Sequence, residues 1–241
     1  MASCRITFHG TNPQQYDNLT AMAESLFVML GVIHRDEDGP VLLKDWLARI
    51  KPDVVTLEFS HYGLRFRREL GEEYKRRIER VVSQLRGKVE PLNKDGLASL
   101  RSYVKIPYEF DVVSARASEQ GIPFYLIDMD FFSYVKLRAI EDLLSEENIE
   151  KVLTRTEETN GNQEKAVARL YFEKGIKIVP YDREMYVRDR YMTARINDLM
   201  KNNPNRRLLH VCGWQHLEDP SNLYGIFNPT KIFFHDKALC L

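Results

Sequence analysis

Hydrophobic residues form one continuous run early in the chain and then recur with helical spacing. The run Ser-Leu-Phe-Val-Met-Leu-Gly at 25–31 predicts a strand buried on both faces, because no polar residue interrupts it and a glycine ends it. A helix is predicted next, because four apolar side chains share one helical face before Lys51-Pro52 ends the repeat: Leu43, Trp46, Leu47 and Ile50. Residues 53–58 form a second β-branched run. A strand, a helix and a strand within about 35 residues predict a right-handed βαβ unit with parallel strands.

The rest of the chain alternates between the same two patterns. Strands are predicted at 123–127, 207–212 and 230–234, with a short one at 175–179 and a turn at 160–162. A helix is predicted at 107–120, and others from apolar residues at helical spacing: Ile78, Val81, Val82 and Leu85; Leu137, Ile140, Leu143 and Leu144; Met192, Ile196, Leu199 and Met200. No linker or repeat is visible. We therefore predict a single α/β domain over residues 1–241, a layered sandwich with a central, largely parallel sheet flanked by helices.

The composition is that of an ordinary globular protein without net charge. Hydrophobic residues make up 44% of the 241 residues and charged residues 29%, which is enough apolar material for a sizeable core. Lys and Arg number 35 and Asp and Glu number 35, so no basic excess attracts nucleic acid or an anionic membrane. The basic stretch at 65–80 contains interleaved acids, which is typical of a solvated helix face. The expected partner is a small-molecule or peptide substrate, with no nucleic acid and no membrane.

The cysteines and the start of the chain indicate a reducing compartment. Cys4, Cys212 and Cys240 are scattered, which fits neither a disulfide framework nor a zinc-ribbon spacing. The stretch at 11–18 is polar where a signal peptide would be apolar. The longest apolar run, at 26–33, is too short to cross a hydrocarbon layer of about 30 Å as a helix. We therefore expect a cytoplasmic protein.

Imidazole and carboxylate side chains follow the predicted strands at the points where the strands end. His34 follows the first strand, Glu58 ends the second, Asp128 and Asp130 follow the third, and His216 follows the strand at 207–212. Ligands of open parallel sheets bind outside the carboxyl ends of the strands. Two of these strands end in the same Gly-x-x-His spacing, at 31–34 and 213–216. We expect each glycine to let the backbone turn sharply, so that the histidine points back over the sheet edge.

Two imidazoles and a carboxylate at one sheet edge form the ligand set of a catalytic metal site, which leaves one position for water. A bound divalent metal lowers the pKa of its water to about 7, so hydroxide is available to attack a carbonyl. Zinc, manganese and cobalt suit the same ligands, and the residue types leave the choice open.

A structural interpretation of the same residues stands beside the metal site. A single Gly-x-x-His is common by chance, and Glu58 at a strand end also fits a capping or salt-bridging role. Asp128 and Asp130 fit the N-cap of the following helix better than catalysis. His210 and His235 lie within predicted strands, where satisfied internal polar groups are expected.

The order of the motifs resembles that of the TraB/Tiki superfamily, which is similar to erythromycin esterases and to a group of haem-binding, iron-regulated proteins. The two Gly-x-x-His motifs match its hallmark, and Leu217 follows the second. The residues Pro-Asp-Val-Val-Thr-Leu-Glu at 52–58 match its Pro-Asp-Val-Val-x-x-Glu strand, and Leu-Ile-Asp at 126–128 matches a later strand end. The remaining matches are Glu109 with the spaced Ala115 and Ala117, and the signature residues Arg188, Asp189 and Met192. The matches run in order over residues 26–217.

The resemblance implies a metal-dependent hydrolase that is peptidase- or esterase-like. By this resemblance His34, Glu58 and His216 hold a divalent ion, namely zinc, manganese or cobalt, and Glu58, Glu109 and Arg188 form the catalytic set. Substrate contacts are expected from three further residues: His61, Trp214 and Asp189. Three positions depart from the family pattern: Val32 stands in place of a threonine, Val187 in place of an acid and Met129 in place of an arginine.

Two alternatives keep the same residues. In a metal-independent hydrolase, one histidine acts as general base for water, the glutamates orient it, and Arg188 stabilises the oxyanion. In a binding or regulatory protein, the cleft holds a small ligand or peptide without turnover, which the three apolar departures favour. Sensitivity to a chelator distinguishes the two hydrolases, and a panel of esters and peptides distinguishes both from a binding protein.

Overall fold

A computed structural model of the chain describes residues 25–88, 92–155, 163–175 and 181–235. The contacts divide the chain into two compact units. The α/β unit comprises the described residues of Met1–Glu58, Tyr108–Asp128 and Glu164–Leu241, and the helical unit comprises those of Phe59–Pro107 and Met129–Gln163. Each stretch of the helical unit thus lies, along the chain, between two stretches of the α/β unit. The sequence shows no linker at these boundaries.

In the part of the chain that the structure describes, the sheet of the α/β unit has five parallel strands: β1 (Phe27–Val32), β2 (Val54–Leu57), β3 (Phe124–Leu126), β4 (Leu208–Gly213) and β5 (Thr230–Phe233). Their order across the sheet is β3-β2-β4-β1-β5, and every neighbouring pair is parallel. The predicted α/β layered sandwich around a parallel sheet is confirmed. Because β4 lies between β2 and β1, the three strands that carry the predicted site end side by side.

The buried centre of the sheet consists of β1, β2 and β4, whose residues are all buried. Continuous apolar sequences are expected of parallel strands that are covered on both faces. One polar pair lies among them, Thr56 on β2 and His210 on β4, with 3.0 Å between Thr56 Oγ1 and His210 Nδ1. Burial lowers the pKa of His210 to about 4, so the ring is neutral. Its Nε2 has no hydrogen-bond partner among the described residues, so His210 is an internal polar group that is satisfied at one nitrogen only.

The helices in chain order are α1 (Gly39–Ile50), α2 (His61–Leu85), α3 (Lys94–Val104), α4 (Tyr108–Gln120), α5 (Asp130–Leu137), α6 (Ile140–Leu143), α7 (Glu146–Leu153), α8 (Gln163–Lys174) and α9 (Arg183–Asn202). Helix α1 buries the four apolar residues that predict it, and α9 buries Met192 and Ile196. The helix predicted at 107–120 is α4. The turn at 160–162, residues 176–179 of the short predicted strand, and Cys4 and Cys240 lie outside the described residues.

Helices α2, α3, α5, α6 and α7 form the helical unit around their own apolar core, which includes Ile78, Val81, Leu100, Leu144 and Ile149. Helix α2 begins where the Ser60 hydroxyl accepts the Gly63 N–H at 2.9 Å, a standard N-cap. The charged stretch at 65–80 lies on α2 and is paired at the surface, for example Arg77 with Glu141 at 2.8 Å. None of the described helices combines the length and the apolar character that a membrane span requires.

Candidate active site

The carboxyl ends of three neighbouring strands bring the predicted site residues of the α/β unit together. His34 follows β1, and His216 lies in the 3-10 turn Trp214–Leu217 that follows β4. Glu58 follows β2 directly, and β4 pairs with both β1 and β2. Glu109 enters from the first turn of α4 and Arg188 from α9. The spatial convergence of strand ends that the sequence predicts is therefore present.

Glu58 lies at the centre of the cluster, and both of its carboxylate oxygens are engaged. Oε1 accepts a hydrogen bond from Arg188 Nη2 at 2.5 Å and lies 3.0 Å from His216 Nε2. Oε2 accepts the Gly213 N–H at 2.6 Å. Burial opposes the charge, but the positive charges of His216 and Arg188 outweigh it and hold the pKa of Glu58 well below its usual range. Glu58 is therefore an ionised carboxylate with fixed donors on both oxygens.

Arg188 connects Glu58 to Asp128. Its Nε and Nη2 donate to the two oxygens of Asp128 at 3.1 and 2.8 Å, the bidentate geometry that arginine makes with carboxylates. The two acids outweigh desolvation and raise the pKa of Arg188, so the guanidinium stays charged. The N-cap prediction for Asp128 and Asp130 is wrong, because Met129 occupies the N-cap of α5. Asp128 instead anchors the guanidinium, and Asp130 lies in the first turn of α5.

His216 lies between two carboxylates. Its Nδ1 is 2.6 Å from Asp189 Oδ1 and its Nε2 is 3.0 Å from Glu58 Oε1. Ionised carboxylates only accept hydrogen bonds, so both ring nitrogens donate and the ring is an imidazolium. Burial opposes this charge, but Glu58 and Asp189 raise the pKa of His216 to about 10. With a side chain only 3% exposed, His216 is a buried cation held in one orientation.

Asp189 anchors His216 from behind and is fully buried. Its Oδ1 also accepts the Tyr224 hydroxyl at 2.8 Å, and its Oδ2 accepts the Tyr181 hydroxyl. The carboxylate presents no surface to a substrate, in contrast to the contact that we expected of it. Sequence reasoning missed Tyr181 and Tyr224, because an isolated tyrosine has no characteristic spacing. Arg188 and Asp189 are adjacent in the predicted signature on α9, and they hold two different members of the cluster: Arg188 bonds Glu58, and Asp189 bonds His216.

His34 is the exposed histidine of the cluster. Its Nδ1 lies 2.7 Å from Glu109 Oε1, and 46% of its side chain is exposed against 9% for Glu109. The surrounding protein disfavours the charged ring, but the hydrogen bond and charge of Glu109 raise the pKa of His34 to about 9. Its Nε2 has no hydrogen-bond partner among the described residues. His34 and Glu109 thus form a pair in which the carboxylate is buried and the far ring nitrogen is free.

The two glycines of the Gly-x-x-His motifs allow close approach rather than a sharp turn. Neither has a positive φ, which corrects the expected turning role. A Cβ on Gly213 would stand 2.9 Å from His34 Nε2 and 3.4 Å from Glu58 Oε2. A Cβ on Gly31 would stand 2.9 Å from the Trp214 Cα. The missing side chains therefore let His34 and Glu58 lie on either side of Gly213 and let the two strand exits pack together.

Two further predicted residues lie elsewhere. Trp214 is buried and packs against Tyr171 and Phe172, with ring centroids 5.5 and 5.9 Å apart, so it acts as packing beside the cluster. His61 is the exposed first residue of α2 and belongs to the helical unit. It is not one of the residues that the α/β unit brings together.

Two of the predicted metal ligands, Glu58 and His216, are engaged with protein groups in this arrangement. Both nitrogens of His216 and both oxygens of Glu58 have protein partners. Among the three predicted metal ligands, His34 Nε2 is the atom that has no hydrogen-bond partner among the described residues. Within the described ranges, no group of three or more His, Cys, Asp or Glu side chains is arranged to hold an ion. If His34, Glu58 and His216 were to hold a divalent ion, His216 would first have to lose the Nε2 proton that faces Glu58.

Comparison with known proteins gives no relative for this chain. No family model matches it, and neither a curated protein nor a solved structure matches it. The resemblance to the TraB/Tiki superfamily therefore stays a prediction from motifs. The fold and the site define an α/β protein with a charged acid and imidazole cluster at the carboxyl edge of a parallel sheet.

Proposed function

We propose that this protein is a hydrolase of ester or amide bonds in which His34 and Glu109 form the acid–base pair. One observation carries the proposal: His34 is the cluster member with an exposed ring and a free Nε2, while its Nδ1 is held by a buried carboxylate. This is the arrangement that general acid–base catalysis requires, since the carboxylate fixes the orientation and tautomer of the ring. The other members of the cluster are buried, so they support the pair rather than exchange protons with a substrate.

The proposed reaction moves one proton twice. Neutral His34 accepts a proton at Nε2 from a water molecule as the water oxygen bonds to the substrate carbonyl carbon. The protonated ring then gives that proton to the leaving oxygen or nitrogen as its bond to carbon breaks, so the products are an acid and an alcohol or amine. Arg188, which is bonded to Glu58 in the same cluster, supplies a fixed positive charge that stabilises a developing oxyanion. Because the pKa of His34 is about 9, only a small fraction of the protein has the neutral ring at pH 7.

Metal-dependent hydrolysis is a second candidate, and the charge of the cluster favours it. The cluster contains four carboxylates and one arginine: Arg188 bonds Glu58 and Asp128, while Glu109 and Asp189 contact the two histidines. The protons on the two histidines reduce this negative excess, and a divalent ion would supply the same two charges. The candidate ligands are those that the TraB/Tiki resemblance implies, His34, Glu58 and His216, with zinc, manganese or cobalt. When bound, such an ion supplies an activated water.

Activity against a panel of p-nitrophenyl esters and fluorogenic peptides, with and without EDTA, tests both candidates. The acid–base pair predicts hydrolysis that EDTA does not affect and that falls about 10²–10⁴-fold in His34→Ala. The matched control is Lys44→Met on α1, whose lysine is exposed. Loss of activity in EDTA with recovery in Zn²⁺, Mn²⁺ or Co²⁺ would favour the metal-dependent candidate. Ligand binding without hydrolysis of any substrate would reject both and favour a binding protein.

A further inference from the structure

The loop that carries His34 is anchored at Asp36. The Asp36 side chain is 5% exposed, and its Oδ2 accepts a hydrogen bond from His235 Nε2. Its Oδ1 lies 3.5 Å from Lys165 Nζ, and the same amine lies 3.3 Å from Asp38 Oδ2. The two nitrogen groups come from different parts of the α/β unit, since His235 follows β5 and Lys165 is on α8. A buried carboxylate that is held from two sides has little freedom to move.

His235 is itself fixed in place. The preceding residue, Phe234, donates its N–H to the Gly31 carbonyl at 3.0 Å, which extends the pairing of β5 with β1. The Phe234 carbonyl accepts the Trp46 indole N–H at 2.9 Å. His235 is therefore placed beside the exit of β1 by main-chain hydrogen bonds rather than by a mobile surface contact.

Arg35, between His34 and Asp36, shows that this loop is under strain. Its φ is 69°, a left-handed conformation that residues other than glycine rarely adopt. Such conformations persist only where the surrounding structure enforces them. The turn around Arg35 is closed by the Asp36 N–H, which donates to the Ile33 carbonyl at 3.3 Å. Side-chain contacts hold the turn at both ends, His34 with Glu109 on one side of Arg35 and the anchor at Asp36 on the other. If the anchor were released, Arg35 would relax to ordinary backbone angles and the direction of His34 would change.

We propose that His235 and Lys165 are positioning residues, which set the direction of the His34 ring by holding Asp36. We call the contacts of Asp36 with His235 and Lys165 the clamp. Its effect on catalysis rests on the proposed function, whereas its effect on the direction of the His34 ring does not. No motif in the sequence connects these residues, because they lie more than a hundred positions from the loop that they hold. His235 thereby has a positioning role in addition to being the internal polar group that the sequence predicts.

The signal of the His34 ring in a two-dimensional ¹H–¹³C NMR spectrum reports the clamp without any substrate. The signal is assigned by its loss in His34→Ala. We expect it to be single and narrow in the wild type and in Lys44→Met, and shifted or broadened in His235→Ala and Lys165→Met. His235→Gln should keep the wild-type signal, because a glutamine amide can donate to Asp36 in place of Nε2. An unchanged His34 signal in both His235→Ala and Lys165→Met overturns the inference.

A second comparison tests the role of the strain at Arg35. In an Arg35→Gly background, His235→Ala should displace the His34 signal less, because glycine adopts a left-handed conformation without strain. An equal displacement in both backgrounds would mean that Asp36 does not act through Arg35 and would also overturn the inference. Should His235→Ala fail to fold by circular dichroism, Lys165→Met, which keeps the β5 segment intact, supplies the same comparison.

Ester hydrolysis separates failure of the clamp from failure of the proposed function. If the wild type hydrolyses esters, kcat should fall about tenfold in His235→Ala with KM within twofold, and His235→Gln should restore kcat. Wild-type protein without any hydrolysis would reject the proposed function, while the NMR comparison would still decide the clamp. Full kcat in His235→Ala and Lys165→Met would reject the clamp alone.

Discussion

Replacing Gly213 by alanine tests the close approach of His34 and Glu58. The new Cβ would stand 2.9 Å from His34 Nε2, closer than van der Waals contact allows, and 3.4 Å from Glu58 Oε2. Gly213 has φ −57°, which alanine also adopts, so the backbone is not strained. The half-exposed ring of His34 is the group that moves, and it loses its bond to Glu109. A hydrogen bond to a charged group contributes about 1.5–3 kcal/mol, and water replaces part of it at this exposed site. We therefore expect the free energy of unfolding to fall by roughly 1 kcal/mol.

The corresponding change in the first motif, Gly31→Ala, is the matched comparison. Its Cβ would stand 2.9 Å from the Trp214 Cα and 2.5 Å from Leu217 Cδ1, so the backbone at the exit of β4 has to shift. Overpacking of this kind typically costs about 1–3 kcal/mol and sometimes more. Gly31→Ala should therefore destabilise the protein more than Gly213→Ala.

Urea unfolding measures the stability of both variants, and ester hydrolysis measures their activity. In Gly213→Ala we expect a small loss of stability together with a loss of rate of about 10²–10⁴-fold, because the acid–base residue is displaced. The reasoning is refuted if Gly213→Ala keeps the wild-type rate, or if it loses more unfolding free energy than Gly31→Ala.

Four further predictions concern protons and buried charge. The pKa of His216 is about 10 in the folded protein and about 6.5 in the unfolded chain. Protonated His216 therefore stabilises the fold fully below about pH 6.5, and this stabilisation is lost as pH rises through about 10. Urea midpoints that do not fall over this range would contradict the prediction. The rate of ester hydrolysis should rise with pH up to about 9, as His34 becomes neutral, whereas a flat profile from pH 6 to 9 would exclude His34 as the base. Tyr224→Phe removes a donor to the buried Asp189 and should lower the free energy of unfolding by about 1.5–3 kcal/mol; unchanged thermal and urea unfolding would show that the bond adds nothing. Arg188→Met removes the guanidinium that bonds both Glu58 and Asp128 and should cost about 3–5 kcal/mol in urea unfolding. The loss should be smaller in Arg188→Lys, and equal losses would rule out a charge effect.

The parallel sheet was accessible from the sequence because its strands are buried on both faces. The apolar run at 25–31 and the β-branched run at 53–58 predict β1 and β2, and Glu58 and the histidines of both Gly-x-x-His motifs follow strands as expected. The neighbour relation of β1, β4 and β2 was not accessible, because strand order depends on contacts between residues far apart in the chain. The division into two units was also missed, because each unit is assembled from stretches that are far apart in the chain.

The partners within the site follow from packing rather than from spacing. Glu109 and Arg188 entered only through a family resemblance, and the structure supplies their contacts: Glu109 with His34, and Arg188 with Glu58. Asp189 was expected to contact substrate, but burial makes it an anchor. Tyr181 and Tyr224 carry no sequence signal, because a hydroxyl that completes a buried carboxylate is defined by distance alone.

The strand order also constrains how the chain is made. β1 pairs with β4 and β5, and both of these strands lie beyond residue 200. During synthesis, β1 therefore cannot form these pairings until most of the chain has been made. Pairings so distant in sequence slow folding, because a long loop has to close first. A nascent chain that stops before Leu208 would leave an apolar strand without hydrogen-bonded neighbours, which is the kind of segment that chaperones bind and that aggregates when they do not.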